Sequence, residues 1–159
     1  MREGLRTMKL LLDTNVVIDY VGRRDPFFKD AASLVIMQLF GDAQLFMPAQ
    51  GVTDVSHILK RCSQDTSDEL QRAICNFCET VQPISLSAAD IQRACELGWN
   101  DMEDCLVSVA ATKIGADYLV TRNISDFTRS NVPVVTPAQM MQRIADKRKT
   151  AYEQLTEFC

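Results

Sequence analysis

Short apolar runs recur along this chain with helix-patterned segments between them, and that alternation constrains the fold more than any other feature. Residues 9–12, 44–47, 81–84, 118–121 and 132–135 each have the length and apolar content of a buried strand. The stretches that separate them are mostly too long for hairpins. Parallel strands need crossovers of a dozen or more residues, which helices supply. The expected fold is therefore α/β, with a parallel sheet of about five strands and helices on both faces in three layers.

Punctuation residues mark the helices. A short helix is predicted over 15–22. Asp25-Pro26 offers an N-cap followed by proline at the first helical position of a helix over 27–40. That helix carries Leu34, Val35, Ile36, Met37, Leu39 and Phe40, so more than one of its sides should be buried. Further helices are predicted over 50–61 and 68–80. Ser87 with Asp90 resembles a capping box, and Gly98 stops the helix that it opens. A buried helix over 104–114 ends at Gly115, and Thr136-Pro137 starts the last one.

The chain has 159 residues, 47% of them hydrophobic, enough for one core and short for two. A single unit is expected over 8–145, with an N-terminal extension over 1–7 and a polar tail over 146–159. No run approaches the roughly 18 apolar residues of a membrane span, and residues 1–9 lack the apolar core of a signal peptide. A soluble, cytoplasmic protein with no membrane partner is expected. Six cysteines invite a disulfide or zinc reading. Cys75-Asn76-Phe77-Cys78, however, has no second CxxC or nearby histidine to complete a tetrahedral set, so free thiols are expected.

A net charge of -4 argues against broad attraction to nucleic acid. It leaves room for a local basic rim from Arg23-Arg24, Lys60-Arg61, Arg122, Arg129 and Lys147-Arg148-Lys149. Each of these also fits a solvated surface charge.

The acids carry the chemistry. In open parallel sheets, ligands bind beyond the carboxyl ends of strands at a topological switch point. Asp13 follows the first strand directly in Asp13-Thr14-Asn15, and Asn123 and Asp126 lie just beyond the fourth. Asp101-Met102-Glu103-Asp104 opens the helix that leads into that fourth strand. Carboxylates sharing a pocket without cationic partners are unfavourable unless a hard cation binds among them. The competing reading is that Glu103 and Asp104 are simple helix-start acids, favoured there by the helix dipole. The grouping reads as a metal-dependent phosphodiesterase. A phosphoacceptor receiver domain fits poorly, because the middle strand ends at Met47-Pro48 without an aspartate. A phosphatase needing an Asp-x-Asp pair fails because Asp13-Thr14-Asn15 supplies one acid.

Asp-Thr-Asn at the first strand end, an Asp-rich helix start and Thr121-Arg122-Asn123-Ile124-Ser125-Asp126-Phe127 after a later strand together resemble the PIN-domain family. The resemblance runs from about Met8 to Met141. It implies a three-layer PIN-like nuclease whose acidic pocket binds Mg²⁺ or Mn²⁺ and cuts RNA or flap-like nucleic acid; a ribonuclease is the expected activity. Many bacterial members resemble the toxin of VapBC-type toxin-antitoxin pairs, so an antitoxin partner and a homodimer are implied too. By position, Asp13, Asp104 and Asp126 match the catalytic, metal-binding aspartates, and Thr14 or Asn15 would support the pocket.

Two positions depart from the pattern. The family usually has a glutamate in the helix after the second strand, where this chain offers Asp54. Asn123 stands where many members have aspartate; an amide oxygen can ligate a metal but adds no charge. Asp101 and Glu103 are candidates to compensate. Arg122 has two readings, a contact to the scissile phosphate or an ion pair with one of the acids. His57, three residues from Asp54, is read as structural. The weakened acid set keeps a second function open, a catalytically silent module that binds nucleic acid or protein.

Overall fold

The computed structural model describes residues 7–148. In chain order the elements are β1 (Met8–Leu12), α1 (Thr14–Val21), α2 (Phe28–Leu39), β2 (Ala43–Pro48), α3 (Gln50–Cys62), α4 (Ser67–Thr80), β3 (Gln82–Ile84), α5 (Ala88–Leu97), α6 (Met102–Lys113), β4 (Tyr118–Val120), a 3-10 turn (Ile124–Phe127), β5 (Val134–Val135) and α7 (Pro137–Arg148). The five strands form one sheet in the order β3-β2-β1-β4-β5. Every pairing is parallel, with Leu10 of β1 opposite Leu45 on one side and Tyr118 on the other.

Period-two alternation along the strands divides the core between two faces. Leu10 and Leu12, with Leu45, Met47, Val120 and Val135, join the apolar sides of α1, α2, α3, α4 and α7. Leu11, Phe46 and Leu119 face the other way, onto Val107, Ala110 and Ala111 of α6 and onto Phe127. Behind α6, Cys105 and Val109 pack on Ala94 of α5. These are the three layers expected from the alternation. They also explain why α6 is apolar on several sides, since it lies between the sheet and α5.

The chain starts in the middle of the sheet and moves outward first through β2 and β3, then through β4 and β5. The switch point therefore lies between β1 and β4, and the carboxyl ends of both strands open at the same edge.

Three of the departures from the expected element boundaries have a visible cause. Asp25-Pro26 does not start α2: the helix begins at Phe28, and Phe27 occupies the cap position without a side-chain bond. Residues 25–27 form a turn instead, in which the N–H groups of Phe27 and Phe28 both donate to Arg24 O at 2.9 Å. The helix expected to open at Asp104 begins two residues earlier, because Asp101 accepts a hydrogen bond from Asp104 N and is the N-cap. The last strand is shorter than 132–135, since Pro133 has no N–H for a ladder, although its carbonyl accepts from Leu119 N.

Other local signals hold. Ser87 and Asp90 form the expected capping box, and Gly98 takes the left-handed conformation that ends α5. Cys62, Cys75, Cys78, Cys95 and Cys105 are free. Among the described residues no helix is long and apolar enough to cross a membrane. The extension expected over 1–7 lies outside the described residues except for Thr7, as does the tail expected over 146–159 beyond the end of α7.

Candidate active site

Asp13 is placed by the sheet itself. Its N–H donates to Val120 O at 2.9 Å, one step past the last β1 residue, so the residue is fixed where β1 and β4 end together. Only 7% of it is exposed. Its carboxylate is held on both oxygens: Oδ1 accepts from Thr14 N at 2.7 Å, and Oδ2 accepts from Thr121 Oγ1 at 2.7 Å and from Asn15 Nδ2 at 2.8 Å.

Thr121, fully buried just after β4, is the hub of this arrangement. Its hydroxyl donates to Asp13 and accepts from Asn15 Nδ2 and Asn123 N, each at 3.1 Å. Asn15 Oδ1 accepts from Arg122 N at 3.2 Å. Asp13, Asn15 and Thr121 thereby tie the start of α1 to the loop after β4. Burial raises the Asp13 pKa above the usual carboxylate range and the negative charge of Asp126 adds to this, while the Thr121 and Thr14 hydrogen bonds and the Arg122 charge oppose them.

The acids of α6 lie in its first turn. Asp101 caps the helix, accepting from Asp104 N at 3.0 Å, and Glu103 and Asp104 follow. Asp104 has its pKa pushed up to about 6, first by burial and then by Asp101, Asp13, Asp126 and Glu103. Glu103 is raised by burial and then by Asp54, Asp13 and Asp101. Like-charge repulsion of this kind requires proximity, so Asp13, Asp101, Glu103 and Asp126 lie near Asp104, and Asp54 joins the group on the Glu103 side. Among the described residues, no lysine or arginine forms an ion pair with Asp54, Glu103, Asp104 or Asp126.

Asp54 reaches this group because α3 starts close to α1. A Cβ at Gly51 would lie 3.2 Å from Thr14 Oγ1 and 3.3 Å from Met47 Cε, so only glycine allows this approach without displacement. Asp126 sits in the 3-10 turn, where its Oδ1 accepts a long hydrogen bond from Ser125 Oγ at 3.4 Å. Asn123, the residue before that turn, uses its backbone N–H on Thr121.

Arg122 forms an ion pair, with an acid the sequence reading did not single out. Its Nε lies 2.7 Å from Asp19 Oδ2, and its guanidinium lies over the Phe27 ring, 4.2 Å from the centroid. Asp19 stands in an otherwise apolar stretch of α1, Val16-Val17-Ile18-Asp19-Tyr20-Val21. That isolation was the available signal. His57 is on the exposed side of α3, so it does not have the packing role expected of it.

An all-oxygen, mostly carboxylate donor set matches the preference of Mg²⁺ and Mn²⁺ for hard ligands. The unneutralised charge on Asp104 fits the same ions. Among the described residues, no three such side chains converge closely enough to form a ready ligand cluster.

A family model described as the PIN domain matches residues 9–125, and the chain belongs to that family. The fold is shared with several solved structures. VapBC2 from Rickettsia felis, bound to a DNA fragment from its promoter, is similar at 17% identity and a TM-score of 0.62, covering 81% of this chain and 98% of that one. VapBC-1 from nontypeable Haemophilus influenzae is similar at 18% identity and a TM-score of 0.63, covering 82% and 99%. The sarcin-ricin loop cleaving toxin VapC20 of Mycobacterium tuberculosis is similar at 12% identity and a TM-score of 0.55, covering 69% and 86%. No curated protein matches the sequence.

Proposed function

We propose that this PIN domain, over residues 8–145, is a Mg²⁺- or Mn²⁺-dependent ribonuclease acting on RNA phosphodiester bonds. The observation that carries the reading is the acidic pocket at the switch point, where Asp104 is pushed up to about 6 without a cationic neighbour. Such a pocket is stabilised by a cation and by little else.

Asp13, Asp104 and Asp126 are the catalytic metal ligands in this reading, with Asp54, Asp101, Glu103, Asn15 and Asn123 as auxiliaries through water or hydrogen bonds. An ion held by these residues would supply Lewis acidity toward the scissile phosphate and toward water. The protein's part is orientation. Thr121 and Asn15 hold the Asp13 carboxylate in one rotamer, and the α6 cap fixes Asp104 relative to it. Arg122, next to Thr121, is the candidate contact for a substrate phosphate.

The solved relatives include VapBC toxin-antitoxin pairs and a sarcin-ricin loop cleaving toxin. The VapBC pairs support a toxin role with an antitoxin partner, and the loop-cleaving toxin supports RNA as the substrate class. A homodimer acting in the cytoplasm completes the proposal.

The experiment is cleavage of a single-stranded RNA with Mn²⁺ or Mg²⁺ by wild type and by Asp13→Asn. Cleavage lost in the variant supports the reading; equal cleavage by both means a contaminating nuclease and sinks it.

A second reading has its own observation. Asp54 stands in place of the longer glutamate, Asn123 in place of an acid, and among the described residues no ligand cluster is preformed. A catalytically silent module that binds nucleic acid or protein would look the same. Calorimetry with Mn²⁺ separates the two, because a silent module shows no binding site that Asp104→Asn removes.

A further inference from the structure

Helix α1 holds Arg122 at two points. Asn15 Oδ1 accepts from its backbone N–H, and Asp19 Oδ2 lies 2.7 Å from its Nε. Asn15 and Asp19 are four residues apart, so both contacts fall on one face of the helix. Phe27 covers one flat side of the guanidinium. Among the described residues neither Nη group donates a hydrogen bond, and 28% of the side chain remains exposed.

Asp19 is costly where it stands. It is 1% exposed, and its Oδ1 has no hydrogen-bond partner among the described residues. Arg122 Nε is close enough for an ion pair but is not aligned for a hydrogen bond. Burying a carboxylate is unfavourable, and replacing both members of a buried ion pair by apolar side chains is often neutral or stabilising. An apolar side chain beside Val16, Val17 and Ile18 would serve packing as well. Stability does not account for the acid, whereas a fixed guanidinium does.

We infer that Asp19 is a positioning residue: with Phe27 it holds the Arg122 guanidinium at the edge of the acidic pocket, leaving both Nη groups for a phosphate oxygen of the bound strand. This rests on the nuclease reading above and deepens it. Nε is used inward and Nη outward, a division that a lysine ammonium cannot reproduce. The backbone grip by Asn15 adds register, because the same amide also donates to Asp13 and Thr121. Arg122 and the first acid are thus referenced to one side chain.

The test compares wild type with Asp19→Asn, Arg122→Gln, the double variant and Phe27→Leu, on a single-stranded RNA oligonucleotide with Mn²⁺. Asp19→Asn and Arg122→Gln should each raise KM about tenfold with kcat little changed, the loss expected for one charge-assisted phosphate contact. Each should flatten the slope of log Kd against log salt by about 0.7, one phosphate contact on a single strand. The double variant should be no worse than Arg122→Gln, and Mn²⁺ affinity by calorimetry should stay unchanged. Phe27→Leu leaves both charges in place and should move KM the same way, which keeps the test open if Asp19→Asn fails to fold. Additive effects of Asp19→Asn and Arg122→Gln overturn the inference, as does a lowered Tm with an intact salt slope. Wild type that binds Mn²⁺ but neither binds nor cuts RNA overturns the nuclease reading instead; wild-type cleavage with KM unchanged in Asp19→Asn overturns only the positioning role.

Discussion

Asp104 and Thr121 are opposite answers to the problem of charge in a half-buried pocket. Asp104 is repelled by its neighbours, and its folded pKa of about 6 exceeds the ordinary 3.8. A raised carboxyl pKa means the folded state holds its proton more tightly than the unfolded one. Stability therefore falls as pH rises from about 4 to about 6, and the full penalty remains above that. In metal-free buffer, Asp104→Asn should melt roughly 2 °C or more above wild type at pH 7.5, with the difference vanishing by pH 4. Thermal scans across pH check this. Adding Mn²⁺ should raise the Tm of wild type and leave the variant behind. Thr121 instead satisfies a charge. Thr121→Val leaves Asp13 Oδ2 and Asn123 N short of a buried partner, and should cost about 2 kcal/mol in urea denaturation while lowering kcat.

At the scale of elements, α3 and α4 separate function from stability. Gly51→Ala improves helix propensity by up to about 1 kcal/mol but brings a methyl against Thr14 and Met47. Met47 is flexible enough to yield, so net stability should stay within about 1 kcal/mol of wild type. Cleavage should still fall, because the displaced helix carries Asp54 away from Glu103. Thr66→Ala is the contrast. It removes a capping box on exposed α4, and should cost about 1 kcal/mol with cleavage untouched.

Elements were also where the sequence was most and least readable. The Ser87–Asp90 box and Gly98 were legible because caps act within a few residues. The start of α2 was not, because a residue-local rule put the cap at Asp25 while a turn onto Arg24 moved it to Phe27. Asp13 and Asp126 could be picked out as candidates because strand ends in a parallel sheet are places where ligands bind, and Asp104 because it opens the helix leading into β4 and matches the family pattern. Asp19 was passed over, since its partner Arg122 lies far along the chain and no local pattern announces such a pairing.

At the scale of the molecule, the sheet order sets what a ligand can do. The pocket joins α1, α3, α6 and the loop after β4, all of them packed on the core. An ion that ties their acids together binds the folded state and not the unfolded one. Saturating Mn²⁺, at a hundred times its Kd, should stabilise wild type by about 2.7 kcal/mol, and Mn²⁺ should not protect Asp13→Asn comparably. Differential scanning fluorimetry against Mn²⁺ concentration measures it.

The order β3-β2-β1-β4-β5 also has a consequence for synthesis. Asp13 is translated early, yet its hydroxyl partner Thr121 comes 108 residues later. A nascent chain on the ribosome carries the first acid with neither its β4 neighbour nor Asp126. For a protein proposed to cut RNA, the machinery that makes it is itself RNA, and the cutting centre is withheld until nearly the whole fold has left the exit tunnel.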